Sequence, residues 1–463
     1  MRVAAQSATT LAVFRVTVAA VWLVSGDVQG ARRFAALPAA LRAAPRGLGW
    51  ALDVVPVTPT LATAAYVVVL LAALCALVGL HARFALTVLA LCGTYLLYIP
   101  QLAGTVMHMH HLVWFAALLA ASPCADALAL DGWRRREAPR APSIAYTLPV
   151  YAAYALLACV FFFPGMWKLL ASGPAWATSD NFRHLVGWKA LQSGLAPAFP
   201  ITDYPRLARI AAGGAIAFEL AFPLLIAFRR TRLVAVGLAL AFHAGTALLL
   251  HIHFVPLWLC YTVLVDWDRV ARSVARRSTR TQRVFTRLGI ATDAPIASAA
   301  DVPASAPTPL DRSASTTQSP REARRLSPVT TTVAALLVSG AALAGALGVT
   351  DGWPFACYPT FEALTPREMP VLLITLEHSD GRREDLPLPR GSRDWALGWR
   401  LAGLYGEPVS PARFDAWWRG ARRRSDTAAR LGGDVRAVHF SLVRIDVVTA
   451  QIVRRRELYV RTP

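Results

Sequence analysis

Lys168 is the residue of this 463-residue chain whose type and surroundings best suit chemistry. Only two lysines, Lys168 and Lys189, occur among its 48 basic residues, so arginine supplies nearly all the positive charge. Arginine keeps its proton near neutral pH, whereas a lysine removed from water can release its proton and act as a base. Lys168 ends a long apolar run. It is therefore a candidate general base, and a lysine reaching toward lipid headgroups is the simpler alternative.

Histidines form a second candidate group. His108, His110 and His111 stand together, and helical spacing places His108 and His111 on one face. Tyr98 and Gln101 lie just upstream and would line the same rim. Such residues suit a proton relay, a hydrogen-bonding site for a polar substrate, or metal ligation. No acidic residue stands nearby at ligand spacing, so we predict no metal; interfacial histidines remain the simpler alternative.

A third group lies farther along the chain, where Glu219 and His243 occur inside apolar segments and His251 and His253 follow the second of them. Counting helical rise places Glu219 and His243 within roughly 5 Å of the same membrane depth. A carboxylate–imidazole pair would offset the cost of burying both groups. The pair could be functional, or it could only hold two helices together.

These residues must be positioned by membrane helices. The chain is 55% hydrophobic and 16% charged, with a mean hydropathy of +0.43, which excludes an ordinary soluble enzyme. The apolar residues fall in runs of about 20, long enough to cross a bilayer. The predicted spans are 8–25, 59–80, 84–103, 105–122, 145–166, 207–228, 232–250, 253–267 and 329–349. The eighth is short and could instead form a re-entrant hairpin with the seventh.

Arginine placement predicts the orientation in the cell membrane. Arginines at 134–136 and 229–232 and the basic stretch after Asp268 all follow even-numbered spans, which predicts a cytoplasmic N-terminus. Arginines in the loop 26–58 count against this scheme, although long loops obey the rule less strictly. Membrane lipid also accounts for the net charge of +20, so we predict no nucleic-acid partner.

The predicted fold class is an all-α polytopic membrane helix bundle of about eight spans, with a ninth span and a small extracytoplasmic α+β domain. The bundle covers 1–268, a disordered basic cytoplasmic linker 269–328, the final span 329–349 and the outer domain 350–463. In that domain, 371–376 with 383–388 predicts a hairpin, 412–429 a helix, and 437–448 with 452–460 a second strand pair. The aromatic segment 353–361 predicts an interfacial belt, or alternatively a strap over the mouth of the bundle.

Four motifs in order resemble the horizontally transferred transmembrane (HTTM) domain, the membrane domain shared with vitamin K-dependent γ-glutamyl carboxylases. The resemblance covers about residues 8–268. The motifs are His108-Met109-His110-His111-Leu112, Gly165-Met166-Trp167-Lys168-Leu169, Phe218-Glu219-Leu220-Ala221-Phe222-Pro223 and Phe242-His243.

The resemblance implies a lipophilic quinol, vitamin K hydroquinone or menaquinol, deprotonated by Lys168 on the extracytoplasmic side. In that family, oxygen converts the hydroquinone to an epoxide through a strongly basic alkoxide. The alkoxide removes a γ-proton from a glutamate of a secreted protein or peptide. The carbanion left on the glutamate then captures carbon dioxide. The catalytic candidates are Lys168, His108, His111 and His243. The substrate-binding candidates are Tyr98, Gln101, His110, Trp167, Glu219, His251 and His253.

Two other functions are compatible with the sequence. A non-enzymatic maturation or scaffold factor would bind a secreted partner through its outer domain, because that domain does not resemble the carboxylase propeptide-binding region. A histidine-ligated membrane metalloprotein would use the same histidines as ligands.

Overall fold

Hydrophobic helices dominate the computed structural model, which describes residues 5–47, 50, 54–103, 109–135, 138–292, 325–357, 361–388, 392–422 and 435–462. Within these ranges, seven helices are long and apolar enough to cross a membrane. They are Ala8–Ala35, Pro59–Val78, Ala82–Leu102, Ile144–Ser172, Pro205–Ala227, Arg232–Leu250 and Pro328–Ala346. The chain is therefore a membrane protein built as a helix bundle, with a small strand-containing C-terminal region.

The helices before the C-terminal region are numbered in chain order. They are α1 (Ala8–Val24), α2 (Gly26–Ala35), α3 (Pro59–Val78), α4 (Ala82–Tyr98), α5 (His110–Ala120), α6 (Leu130–Arg135), α7 (Ile144–Ser172), α8 (Ala175–Thr178), α9 (Asn181–Ser193), α10 (Pro205–Ala227), α11 (Arg232–Leu250), α12 (Val255–Cys260), α13 (Trp267–Ala275), α14 (Thr279–Arg287) and α15 (Pro328–Ala346). Short 3₁₀ turns follow α4 and α12, at Ile99–Leu102 and Tyr261–Leu264.

Two predicted spans contain only short helices among the described residues. The span 105–122 contains the helix His110–Ala120, and the span 253–267 contains the apolar helix Val255–Leu264. At about 1.5 Å per residue, each described helix covers roughly half of a hydrocarbon core. Hydropathy counts apolar turns together with helix, so composition alone overestimates these lengths. Residues 104–108, which include His108, lie outside the described residues.

Helix α1 is largely buried and carries a buried arginine, Arg15, which was not among the predicted site residues. The Arg15 guanidinium donates to the backbone carbonyls of Cys124, Ala127 and Leu128. A buried guanidinium that donates to several carbonyls stabilises irregular backbone that would otherwise leave those carbonyls unsatisfied. Arg15 thus fixes the turn that follows α5, and an ionisable residue inside an apolar run was the available signal.

The start of the predicted disordered linker is helical. Helix α13 begins after Asp266, whose side chain accepts a hydrogen bond from the Arg269 amide, and it buries Ala271 and Ala275. The prediction was wrong for 269–287 because the stretch is amphipathic, with small apolar residues on one face and arginines elsewhere. The rest of that linker, from 293 to 324, is outside the described residues.

The C-terminal region contains a four-stranded antiparallel sheet with strand order β4-β3-β5-β6. Its strands are β3 (Glu368–His378), β4 (Arg383–Asp385), β5 (Val435–Asp446) and β6 (Ile452–Arg461), and β1 (Arg46–Gly47) pairs with β2 (Gly352–Trp353) elsewhere. The predicted hairpin is confirmed, with Leu376 opposite Glu384. Two helices accompany the sheet, α16 (Ser392–Leu401) and α17 (Pro411–Arg422).

Helix α9 joins the sheet region to the bundle through aromatic packing. The Trp188 ring stacks on Trp399 at 5.5 Å and meets the edge of Trp395 at 4.3 Å. Gly187 faces the backbone carbonyl of Val447 so closely that no side chain would fit between them. The C-terminal region is therefore packed against the end of the bundle at which α7 terminates.

The segment after α15 is buried in protein, so the predicted aromatic belt was wrong for its described residues. Trp353 is almost completely inaccessible, and the Trp114 indole donates to the Pro354 carbonyl at 2.9 Å. The Cys357 amide donates to the Val349 carbonyl at 2.6 Å. These hydrogen bonds hold the segment against the bundle. Amino-acid composition alone cannot tell aromatic residues that are buried in protein from aromatic residues that face lipid. Residues 358–360 lie outside the described part of the chain.

Candidate functional site

A buried ion pair between Lys168 and Glu219 lies at the centre of the candidate site. The Lys168 ammonium Nζ donates to both carboxylate oxygens of Glu219, each at 2.8 Å. Each side chain is only 6% exposed. Lys168 sits inside α7, which continues to Ser172 and is longer than the predicted span, so the lysine is held within the helix. A buried pair of this geometry offsets much of the cost of removing two charges from water.

Gly165 allows the two helices that carry this pair to approach closely. A Cβ atom added at Gly165 would lie 2.8 Å from the Glu219 Cβ and 3.3 Å from one of its carboxylate oxygens. Small residues at a crossing let membrane helices pack backbone against backbone. The spacing Gly165-x-x-Lys168 therefore places the contact point and the lysine on the same face of α7.

The sequence favours a pair between Glu219 and His243, whereas the partner of Glu219 in the structure is Lys168. The similar membrane depth predicted for Glu219 and His243 agrees with the structure, because both residues line one cavity of about 350 Å³ together with Lys168. Depth does not fix which way a helix face turns, however, and α10 turns Glu219 toward α7. The lining is otherwise largely apolar and includes the rings of Phe161, Phe218, Phe242, Phe254 and Phe361.

His243 forms a second polar group in the cavity wall. Its ring Nε2 lies 2.6 Å from the Tyr261 hydroxyl, and its ring stacks on Tyr261 at 5.9 Å and on Trp258 at 5.8 Å. The Phe254 ring covers it at 5.0 Å. Tyr261 lies in the middle of the predicted span 253–267, and nothing in the sequence indicates that its hydroxyl meets His243.

Part of the C-terminal region closes the cavity next to Lys168. Phe361 lines it, and the Phe361 carbonyl accepts a hydrogen bond from the Trp176 indole at 2.6 Å. The Ser172 hydroxyl donates to the Glu362 carbonyl at 2.5 Å, and the Thr365 amide donates to the Asn181 side chain at 2.7 Å. We call residues 361–365 the strap. It overlaps the predicted aromatic segment 353–361 only at Phe361.

The Lys168 ammonium also contacts an aromatic face, since its Nζ lies 5.2 Å from the centre of the Trp176 ring. Such a contact favours a cation and shields it from water. Trp176 therefore touches both the ion pair and the strap, and it links the closure of the cavity to the environment of the lysine.

Several predicted site residues lie elsewhere. His110 and His111 are buried in α5, where their rings pack on Trp114 at 4.7 Å and Phe115 at 5.9 Å. Tyr98 and Gln101 are buried near the end of α4. In the described part of the chain, none of these four lines the cavity of Lys168. His108 is outside the described residues.

The three remaining candidates are Trp167, His251 and His253. In the part of the chain that the structure describes, they lie outside the lining of the cavity. The Trp167 indole donates to the Gly345 carbonyl of α15 at 2.7 Å, so it joins α7 to α15. His251 ends α11 with a positive φ of 53°, and His253 is exposed. The loop that they flank does contribute Ile252 and Phe254 to the cavity.

Lys189, the second lysine, is buried next to the strap. Its ammonium donates to the Gln192 side chain at 2.7 Å and lies 4.9 Å from the Phe361 ring centre. Burial lowers the pKa of Lys189 to about 8. The rarity of lysine was a signal for this residue, although the sequence analysis used it only for Lys168.

The described residues contain no group of three or more His, Cys, Asp or Glu side chains that could hold a metal ion. The cavity wall carries an amine, a carboxylate and an imidazole, from Lys168, Glu219 and His243. Together they can bind a hydroxyl and move a proton away from it within a largely apolar space.

The bundle and its buried charge pair define a multi-pass membrane protein with an internal, largely apolar cavity. Residues 4–267, more than half of the chain, match the HTTM domain. The chain therefore belongs to the HTTM domain family, the family of the carboxylase membrane domain. No curated protein and no solved structure matches the chain.

Proposed function

We propose that the protein binds a lipophilic quinol, vitamin K hydroquinone or menaquinol, and uses Lys168 as the base for epoxidation-coupled chemistry. The observation that carries this proposal is the Lys168–Glu219 pair in the wall of a largely apolar cavity. Membership of the HTTM family supports it. A ring hydroxyl placed against the pair and an apolar tail along the phenylalanines would use both properties of the cavity.

The cavity suits such a ligand. Its volume of about 350 Å³ falls within the range of about 300–1,000 Å³ that is usual for small-molecule sites, which are mostly apolar with a few polar groups. A bound quinol supplies an ionisable hydroxyl and a reducing ring. Lys168 and His243 offer polar atoms to it, and Phe161 and Phe218 offer apolar surface.

Glu219 allows Lys168 to act as a base without leaving a net charge in the resting site. Shifting one proton along the 2.8 Å hydrogen bond from Nζ to the carboxylate leaves a neutral amine next to a neutral acid. That amine can accept a proton from a hydroxyl, and the resulting ammonium then stabilises the anion beside it. Trp176 and the strap keep water from competing for the same proton.

Replacing Lys168 tests the proposal in proteoliposomes supplied with a reduced menaquinone or vitamin K analogue. Lys168→Arg keeps the positive charge for Glu219 but cannot release a proton at neutral pH. We expect epoxide formation to fall about 100-fold or more, the usual contribution of a general base. Lys189→Met is the matched control and should retain activity. A wild-type rate in Lys168→Arg would exclude Lys168 as the base.

We also propose that the N-terminus is cytoplasmic and that the sheet region is extracytoplasmic, on the side where Lys168 approaches the end of its helix. Arginine placement supports this orientation. A protease site inserted after Ser379 in the β3–β4 turn should be cut in intact spheroplasts. A site in the α10–α11 turn should be cut only after lysis, and the opposite pattern would reverse the assignment.

A second candidate function is a maturation or scaffold factor for a secreted protein or peptide. The observation that favours it is β6, which forms one edge of the sheet and exposes Ile452 and Val453. Exposed edge strands accept a further strand from a partner. If this function is the correct one, Val453→Pro will abolish maturation of the partner, whereas Lys168→Arg will not change it.

A further inference from the structure

A second cavity, of about 650 Å³, lies near the start of α7, far from the candidate site. Its walls come from Tyr151 and Tyr154 of α7, the α10–α11 turn and the first residues of α13. At about 1.5 Å per residue, the helix from Tyr154 to Lys168 separates the two cavities by roughly 20 Å. The quinol proposal assigns nothing to this cavity.

Arg232 is the buried cation of this second cavity. It is 7% exposed, and its Nε donates to the Ile226 carbonyl at 2.9 Å. Its two terminal nitrogens have only long hydrogen bonds, 3.3 Å to the Tyr154 hydroxyl and 3.5 Å to that of Tyr151. The described residues give Arg232 no carboxylate partner. Because no carboxylate among these residues neutralises it, this buried guanidinium can bind an anion that enters the cavity.

The charges around the cavity leave a positive excess. Four arginines and two aspartates line it: Arg229, Arg230, Arg232, Arg269, Asp266 and Asp268. Both aspartates are already engaged, because Asp266 forms a salt bridge with Arg229 and Asp268 accepts a hydrogen bond from the Ser7 hydroxyl at 2.7 Å. Within the described residues, Arg230 and Arg269 form no salt bridge. Three guanidinium groups can therefore face an incoming anion.

The rim of the cavity is suited to lipid. Phe228, Leu233 and Val270 line it and are exposed, so they can contact acyl chains. Tyr151 and Tyr154 lie in the first half of α7, roughly 10–15 Å along the helix from Ile144. An inorganic anion would bind only the arginines of the cavity. A phospholipid would also place its acyl chains on the apolar rim.

We propose that this cavity binds the phosphate group of an anionic phospholipid. Arg232 would bind the phosphate oxygens through its paired terminal nitrogens, because guanidinium geometry matches phosphate. Arg230 and Arg269 would add charge from the exposed side, and Tyr151 would donate a hydroxyl hydrogen bond, whereas the Tyr154 hydroxyl already donates to the Val263 carbonyl at 3.2 Å. The lipid would hold the α10–α11 turn against α7 and α13.

The test measures binding to the purified full-length protein in detergent by isothermal titration. The ligands are dioctanoyl phosphatidic acid, dioctanoyl phosphatidylcholine and inorganic phosphate. We expect phosphatidic acid to bind more tightly than phosphatidylcholine. Arg230→Gln with Arg269→Gln should weaken phosphatidic acid binding about tenfold, since each arginine near an anionic headgroup contributes on the order of 1 kcal/mol. Both side chains are exposed, so this double variant should fold.

The matched control is Arg280→Gln with Arg283→Gln, which removes the same charge from exposed positions of α14 outside the cavity. It should bind phosphatidic acid as the wild type does. Arg232→Lys should weaken binding about fivefold, because a lysine keeps the charge but loses the paired donors. Equal binding by the wild type and the Arg230/Arg269 variant would overturn the site. Equal binding of inorganic phosphate and phosphatidic acid would overturn the lipid as its source.

Discussion

Both carboxylate oxygens of Glu219 lie 2.8 Å from the ammonium of Lys168, although the two residues are 51 positions apart in the chain. The pair is buried, and it joins α7 to α10 in the wall of the cavity. Neither charge would be stable there without the other. The pair therefore serves the packing of the bundle as well as any chemistry.

Removing one member of the pair should destabilise the protein strongly. Glu219→Gln leaves a buried ammonium without its counter-charge, at an expected cost of about 3–5 kcal/mol. Lys168→Met combined with Glu219→Gln should recover much of that loss, because no buried charge remains. Melting temperature in detergent is the measurement. The control is Asp351→Asn, which breaks an exposed salt bridge with Arg46 and should leave the melting temperature nearly unchanged. Similar shifts for both carboxylates would contradict the prediction.

Enlarging Gly165 should separate α7 from α10. In Gly165→Ala the new Cβ would lie 2.8 Å from the Glu219 Cβ, so the helices must move apart, at an expected cost of about 1–3 kcal/mol. The same variant should lower quinol oxidation by displacing Glu219 from Lys168. Gly213→Ala on α10 has open space around the added atom and is the control. The prediction fails if the two alanine variants melt at the same temperature.

Lys189 should make stability rise with pH in the alkaline range. Its folded-state pKa of about 8 lies below the ordinary value of 10.5, so above pH 8 the unfolded state binds more protons than the folded state. The cost of burying the charge, about 3 kcal/mol below pH 8, should disappear gradually as the pH approaches 10.5. Lys189→Met should therefore melt above the wild type at pH 7, and the difference should shrink by pH 10. A difference independent of pH would contradict the assignment.

Loosening the strap should weaken quinol binding more than it slows the chemical step. Trp176→Phe removes the indole donor to the Phe361 carbonyl and leaves that acceptor unsatisfied, a cost of about 1–3 kcal/mol. We expect KM for the quinol to rise about tenfold and kcat to fall by a smaller factor, because Lys168 and Glu219 remain in place. Trp133→Phe, at an exposed site on α6, is the control. An unchanged KM would show that the strap does not affect binding.

Sequence patterns predicted the helices and the sheet better than the contacts between them. Seven long apolar helices and the β3–β4 hairpin follow directly from hydropathy and strand alternation. Hydropathy could not predict the lengths of α5 and α12, because apolar turns have the same composition as apolar helices. Helix α9 was missed because its sequence has no amphipathic pattern, and its importance comes from the Trp188 contacts with the sheet region.

The sequence indicated individual residues of the candidate site but not how these residues are arranged in space. Lys168, Glu219 and His243 could be selected because polar residues are costly in apolar helices. Their pairing depends on the rotation of α10 about its axis, which the sequence does not fix, and on Gly165, whose role requires a neighbouring helix. His110 and His111 carry the same sequence signal but pack against Trp114 and Phe115. Local patterns could not separate these two groups of histidines.

Phe361 contributes to the cavity from outside residues 4–267, the part of the chain that the family shares. The wall thus has two origins: the family domain supplies Lys168, Glu219 and His243, and the C-terminal region supplies Phe361. Under the proposed function, a larger or smaller side chain at position 361 would change the size of the ligand tail admitted while Lys168 and Glu219 stayed in place. Ligand size and proton chemistry could then be altered independently of each other.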